Sequence, residues 1–402
     1  MRLFIEPTET LLFRTGHPFT AGENNFAQTL FPPTPETLQG AIRATIASYW
    51  DDKKTLAEAF QDKELVNLIG DRKHYARFRI TCISLGRHKK DTKDNTVERI
   101  FPIPAHILQE DDGEKRQARL TPQTKAGVDS NLPDTMQMLY PDKEIKGKLE
   151  PMKGWLTERG LQKAFLTNEN LLTKQYLRER KEDTDKAEVI EDSDIYTRES
   201  RLGIGMDSQR KATEEGLLYQ VQMIRMNHQE KQQYVYGFVV DVRLSQSSEV
   251  SSTNPESLVD DAQTQQLLHL PDQGWMSLGG ERRAAYFTVV KPPQGTSSAE
   301  VEQLQKGNLL YFATPAAFNK GWQPAEWLPP LKKPVAVAID RYQSIGGWKL
   351  SPGSSGGLNK EMRRCVPAGS VYFFNEQIRV TQPLTDHGMQ IGYGITYAGG
   401  EE

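Results

Sequence analysis

Apolar residues along this chain change spacing from one segment to the next, and the spacing predicts the elements. Leu3-Phe4-Ile5 and Leu11-Leu12-Phe13 predict a strand over residues 1–14, ending at the turn Arg14-Thr15-Gly16-His17-Pro18. A helix follows. Thr34 is its N-cap, and Pro35 stands at the first helical position, where its missing N–H costs nothing. Leu38, Ala41, Ile42, Thr45, Ile46 and Tyr49 then fall on one face, with Arg43 off that stripe.

Arg77–Ile83 and Ile100–Ile103 predict the next strands, and Trp155–Leu177 a helix. Leu217–Ile224 and Tyr234–Val240 predict a hairpin, and Ala284–Val290 a further strand. Strands are expected at Leu309–Phe312, Val335–Ile339, Val371–Phe374 and Ile391–Tyr397. Polar stretches without periodicity, at about 109–195 around that helix and at 245–265, are expected as insertions and solvated loops. Pro292-Pro293-Gln294-Gly295 marks a boundary between domains at 1–293 and 294–402. Strand, helix, two strands, helix, strand is the order of a ferredoxin-like unit. The expected fold class is α+β, with two ferredoxin-like (RRM-like) domains carrying polar insertions.

Composition narrows the function. Fifteen Phe, 14 Tyr and 6 Trp among 402 residues indicate a folded chain, and two distant cysteines, Cys82 and Cys365, give neither a disulfide framework nor a metal spacing. No apolar run has membrane-spanning length, and the early Glu6-Pro7 argues against a signal peptide. A cytoplasmic protein is expected. The net charge of −3 hides a segregation: residues 179–199 carry nine acids against four bases, whereas 335–374 carry five bases against Asp340 and Glu361. The local patch sets the attraction to phosphate.

Catalytic motifs fall away on context. Gly353-Ser354-Ser355-Gly356-Gly357 has the G-x-S-x-G form but lacks a preceding buried strand, and its downstream His387 is adjacent to Asp386. Ser208-Gln209-Arg210-Lys211 has no companion motif. No cofactor, metal site or catalytic residue is expected. What stands out is a set of glycine-rich turns flanked by arginine: around Arg14 and His17; Leu278-Gly279-Gly280-Glu281-Arg282-Arg283; and Arg341 through Gly346, Gly347, Trp348, Gly356, Gly357 and Lys360 to Arg363 and Arg364. Glycine lets backbone approach phosphate, arginine supplies charge and paired donors, and Trp348 and Tyr342 offer faces for bases. The plainer alternative is that these arginines pair with Glu281, Asp340 or Glu361.

Several blocks in order along the chain resemble a known family. They are Leu12–Phe19, Pro32–Arg43, Glu199–Ile204, Glu215–Tyr219, Leu278–Arg283 and Met362–Phe374. The sequence resembles the repeat-associated mysterious proteins of CRISPR systems, and within them the third subunit of the Cmr, or type III-B, effector complex. The resemblance implies a non-catalytic subunit that grips the 5′ repeat-derived tag of crRNA, docks the large polymerase-type subunit and caps the backbone subunits, meeting target RNA indirectly. It adds Arg43 and Arg201, which lie in the matching blocks, to the candidate contacts. The alternative within the same superfamily is an endoribonuclease that cuts precursor crRNA, with His17 as its general base.

Overall fold

The computed structural model describes residues 1–15, 26–51, 53–71, 74–90, 96–111, 116–124, 132–133, 135–166, 188–207, 210, 212–227, 233–247, 257–290, 306–327, 331–350 and 357–400. The protein is mixed α+β, rich in sheet and poor in helix. Among the described residues no helix is long and apolar enough to cross a membrane.

The first large sheet is built on β1 (Arg2–Pro7), β2 (Phe78–Lys89), β3 (Tyr234–Leu244), β4 (Gln273–Leu278) and β5 (Arg283–Val290). Its central order is β2-β3-β1-β5-β4, and three short strands at Glu98–Pro102, Trp155–Thr157 and Val189–Ile190 extend it beyond β2. Each of these neighbours pairs antiparallel, with Leu3 opposite both Val240 and Val289. The crossovers carry α1 (Pro35–Trp50) between β1 and β2, and α2 (Asp261–Leu267) between β3 and β5. Setting β4 aside, the order is second, third, first, fourth.

The helix at Pro35 forms where its caps place it. Thr34 Oγ1 accepts from Thr37 N at 3.3 Å, and Leu38, Ile42, Thr45 and Ile46 are buried. Leu38, Ile42 and Ile46 meet Leu3, Ile5, Phe238, Val240 and Phe287 from the sheet in the main core.

The second sheet contains β6 (Lys306–Phe312), β7 (Ala336–Ala338), β8 (Val371–Arg379) and β9 (Thr396–Gly399). Its order, β7-β8-β6-β9, is again second, third, first, fourth, and all pairs are antiparallel. The strands expected at Leu309–Phe312, Val335–Ile339 and Val371–Phe374 lie at these places, whereas the one expected at Ile391–Tyr397 begins only at Thr396, after a 3-10 turn at Met389–Ile391. The two sheets share a core in which Phe101, Leu156 and Leu161 pack with Tyr311, Val371, Phe373 and Ile395. Tyr311 Oη donates to the Pro102 carbonyl at 2.7 Å. Arg99, buried beside Cys82, donates to Tyr397 Oη at 3.2 Å and pairs with Glu158.

Several expectations need correction. The stretch at 109–150 is no unstructured insertion. Ile107–Asp111, Arg116–Gln123, Met138–Pro141 and Lys148–Pro151 form a four-stranded sheet. Glu110, 1 % exposed, accepts from the Gly147 N–H at 2.8 Å and also from Lys146 N. Trp155-Leu156 is a strand rather than the start of a helix, which spans Glu158–Leu166; residues 167–187 of the expected helix and acidic loop lie outside the described residues.

Leu217–Ile224 and Tyr234–Val240 do not pair with each other. Ala212–Met226 pairs with Tyr196–Asp207, and β3 is claimed by β1 and β2. The Ser-rich loop expected at 245–265 contains most of α2, whose N-cap Asp260 accepts from Gln263 N. The boundary at 292–298 lies outside the described residues.

Candidate nucleic-acid interface

The three arginine-bearing turns occupy two regions. The first surrounds the segment Glu9–Arg14. Leu11 forms a bridge with Ile224 at the base of the long hairpin, and Arg14, exposed, bridges to Thr29. The Gly280 N–H donates to the Leu12 carbonyl at 2.7 Å. Gly279 is needed there: its φ is +75°, and a Cβ would sit 2.7 Å from that carbonyl.

This packing brings Arg283 beside Glu9. Arg283 donates to Glu9 Oε2 at 2.9 Å and pairs with Glu281. The Ala284 N–H and the Arg283 guanidinium hold the Glu9 carboxyl low, and Arg201, reaching over from the hairpin, adds to this. Arg201 itself lies 3.4 Å from Glu199. Arg282, exposed, makes no ion pair among the described residues. The plainer alternative therefore describes Arg283, committed to two carboxylates, but not its neighbour.

The second region is the arm from Arg341 to Arg364. Gln343–Ile345 pairs with Arg363–Cys365, so Ser344 lies opposite Arg364. Further out, Trp348–Leu350 pairs with Gly357–Asn359, and the Lys360 N–H donates to the Gly347 carbonyl at 2.8 Å. Gly346 is half-buried and Gly347 exposed at this bend. Arg341, Lys360, Arg363 and Arg364 are all exposed, and none forms an ion pair with Asp340 or Glu361 among the described residues. Arg364 instead lies over the ring of Tyr342, 5.0 Å from its centroid. Trp348 is on the outer strand, and nothing further is described of its side chain; Gly356 and His17 lie outside the described residues.

Arg43 has a different surrounding from its fellow candidates. It donates to the carbonyls of Gly70 at 2.7 Å and Asp71 at 2.9 Å, and burial lowers its pKa. Arg43 and Arg363 both act on Tyr75, whose phenol burial and Glu36 push upward. Glu36, in the first turn of α1, accepts from buried Tyr393 Oη. The glycine turn at 392–394 is thereby a joint between the sheets: a Cβ on Gly392 would lie 2.7 Å from Ile83. Burial, then Glu36, pushes the nearby Cys365 thiol up to about 12.

Two features escaped the reading of the sequence. The hairpin Tyr196–Asp207 with Ala212–Met226 projects an apolar outer part, with Leu202 74 % exposed and Ile204, Met206 and Leu218 more than half exposed. Its signal was present as the alternation Leu202, Ile204, Met206. Trp275 on β4, 59 % exposed, carried no signal at all. Among the described residues no group of His, Cys, Asp and Glu forms a metal site.

A family model described as CRISPR-associated protein (Cas_Cmr3) matches residues 3–400. No curated protein matches the chain. Among solved structures, a chain of the Type III-B Cmr-beta assembly bound to cognate target RNA and AMPPnP is 16 % identical. It covers 93 % of this chain and 86 % of its own, with a TM-score of 0.46. A chain of the same assembly bound to cognate target RNA has the same identity and coverage at a TM-score of 0.45. One from the apo state is 12 % identical, over 71 % of this chain and 95 % of that one, with a TM-score of 0.31. The match along nearly the whole chain agrees with the sequence blocks, and the chain belongs to the Cas_Cmr3 family of CRISPR-associated proteins, that of the third subunit of type III-B Cmr complexes.

Proposed function

We propose that this chain is a non-catalytic, cytoplasmic subunit of a type III-B CRISPR effector complex that grips the 5′ repeat-derived tag of crRNA. It docks the large polymerase-type subunit and the backbone subunits, and so meets target RNA indirectly. The observation that carries the reading is the arm at 341–364, where four exposed cations remain without a carboxylate partner among the described residues. Unneutralised arginines next to an aromatic ring suit single-stranded RNA. Arg282 extends the same chemistry to the first region, where Arg14 and Arg201 are also exposed.

Each half of the chain is read as a ferredoxin-like unit, divided at about residue 293. The support is the strand order. In each sheet the first and second strands flank the third, and the third and fourth flank the first, which is the split βαβ arrangement. The first unit has helices on both crossovers; the second makes its own with irregular segments.

The test is binding of a tag oligonucleotide across salt concentrations. Replacing Arg363 and Arg364 together by Ala is expected to reduce the salt slope by roughly 0.7 for each phosphate no longer neutralised, largely regardless of base sequence. An unchanged slope and affinity would remove the arm from the RNA site. Metal-independent cleavage of repeat RNA, abolished by His17→Ala, would replace this reading with the processing endoribonuclease.

A further inference from the structure

β4 closes one end of the first sheet, and its outer edge is long, neutral and aromatic. The other ends of the two large sheets are short: two residues at Val189–Ile190, which are buried, three in β7 and four in β9. β4 has six residues, Gln-Gly-Trp-Met-Ser-Leu, with no charge and no proline. Charge, proline and shortness are the means by which sheets protect their edges, and β4 uses none of them.

Register shows which main-chain groups face out. Gly274, Met276 and Leu278 lie opposite Phe287, Ala285 and Arg283, while Ser277 lies opposite Ala284. The Ala284 N–H and carbonyl are both used on its other side, by Glu9 and Thr8. Alternation in an antiparallel pair therefore turns the N–H and C=O of Gln273, Trp275 and Ser277 outward. The Trp275 N–H reaches Tyr49 Oη at 3.3 Å. The amides of Gln273 and Ser277 have no partner among the described residues.

Above this edge the Trp275 indole stands edge-on to Tyr286, with centroids 5.2 Å apart. Gln273, Ser277, Ala284 and Thr288 flank the pair without charge, and Glu6, opposite Tyr286 on β1, is an anion. A nucleic acid on this surface would find no cation to neutralise its phosphates. The open positions call for main-chain donors and acceptors at strand spacing, which only an extended polypeptide supplies. An exposed Trp backed by a half-buried Tyr is the kind of side-chain pair that anchors protein contacts.

We propose that β4 receives an extended, uncharged segment of a neighbouring protein subunit, added as a further strand with an apolar side chain seated against Trp275 and Tyr286. The site is separate from the arm at 341–364 and does not depend on whether that arm grips RNA.

The experiment places a photoreactive benzoylphenylalanine at position 275 in the chain within its assembled complex, and maps the crosslinks. Crosslinks are expected to one stretch of one other protein subunit. Amide exchange at Gln273 and Ser277 is expected to slow at least about tenfold in the complex relative to the isolated chain. Ser277→Pro removes an outward N–H and spares the inward pairs, and should lower retention of that subunit several-fold. Trp275→Lys should do the same without altering the backbone, with unchanged melting of both variants as the check of folding. Crosslinks to RNA, to a second copy of this chain or to residues 291–305 of the same chain would overturn the proposal, as would unchanged exchange.

Discussion

At the scale of single residues, the arginines of the two regions illustrate how partners decide roles. Arg283 is bound to Glu9 and Glu281, whereas Arg363 and Arg364 face solvent without a carboxylate. Arg283→Ala is expected to lower the melting temperature slightly and leave the salt slope of tag binding intact. The Arg363, Arg364 double variant should do the reverse. Thermal melts and salt titrations on the same preparations separate the two. His106 supplies a pH test. Burial, with Arg119 nearby, lowers its pKa from the ordinary 6.5 to about 3, and its ring packs edge-on to Phe373. A histidine kept neutral in the fold stabilises it fully above the unfolded pKa. That contribution declines as pH falls from about 6.5 toward about 3, because the unfolded chain takes up the proton first. The wild type should lose more melting temperature between pH 7 and pH 5 than His106→Gln does, by roughly the effect of that one proton.

Elements here succeed or fail at their ends and turns. Gly40 sits on the exposed side of α1 with nothing within 4 Å of a would-be Cβ. Gly40→Ala should stabilise the protein by about 0.5–1 kcal/mol. Gly321 and Gly279 both have φ near +75°, but only Gly279 faces a carbonyl at 2.7 Å. Gly321→Ala is expected to cost about 1–2 kcal/mol from backbone strain alone. Gly279→Ala should cost more, since the Leu12 segment must also move, and with it Arg282. Urea midpoints rank the three; an equal cost at 279 and 321 would contradict the packing described for the turn. The hairpin at Tyr196–Met226 shows the same rule from the other side. Its base is held by Ile195, Ile224 and Met226, all buried, while its outer part exposes Leu202 and Ile204.

The whole molecule behaves as one body because the two sheets share a core. Phe101 and Leu156 from the first pack with Tyr311 and Phe373 from the second, and Arg99 joins Glu158 to Tyr397 across the same junction. Calorimetry of the full chain should show one cooperative transition rather than two. Phe101→Ala, at 1 % exposure, should cost about 3–5 kcal/mol and shift that single transition. Residues 1–293 expressed alone would expose this face and are expected to bind a hydrophobic dye. Two separated transitions in the full chain would contradict a common core.

How much of this could be read beforehand depends on whether the controlling interaction is local. The helix at Pro35–Trp50 was legible because Thr34, Pro35 and the stripe from Leu38 to Ile46 act within a few residues of one another. The strands at Lys306–Phe312, Ala336–Ala338 and Val371–Arg379 were legible for the same reason, as was family membership, which rests on short blocks in order. Pairing was not. Tyr234–Leu244 lies between β1 and β2, more than 140 residues away in sequence, and no local pattern distinguishes those partners from the neighbouring Ala212–Met226. The availability of each arginine was equally hidden. Glu9 reaches Arg283 across 274 residues, and Gly70 engages Arg43 only once α1 has packed. Residue type and local order determined which side chains the chain offers. Tertiary contact, which sets the distance between charges and so which of them are neutralised, decided which remain open to a phosphate.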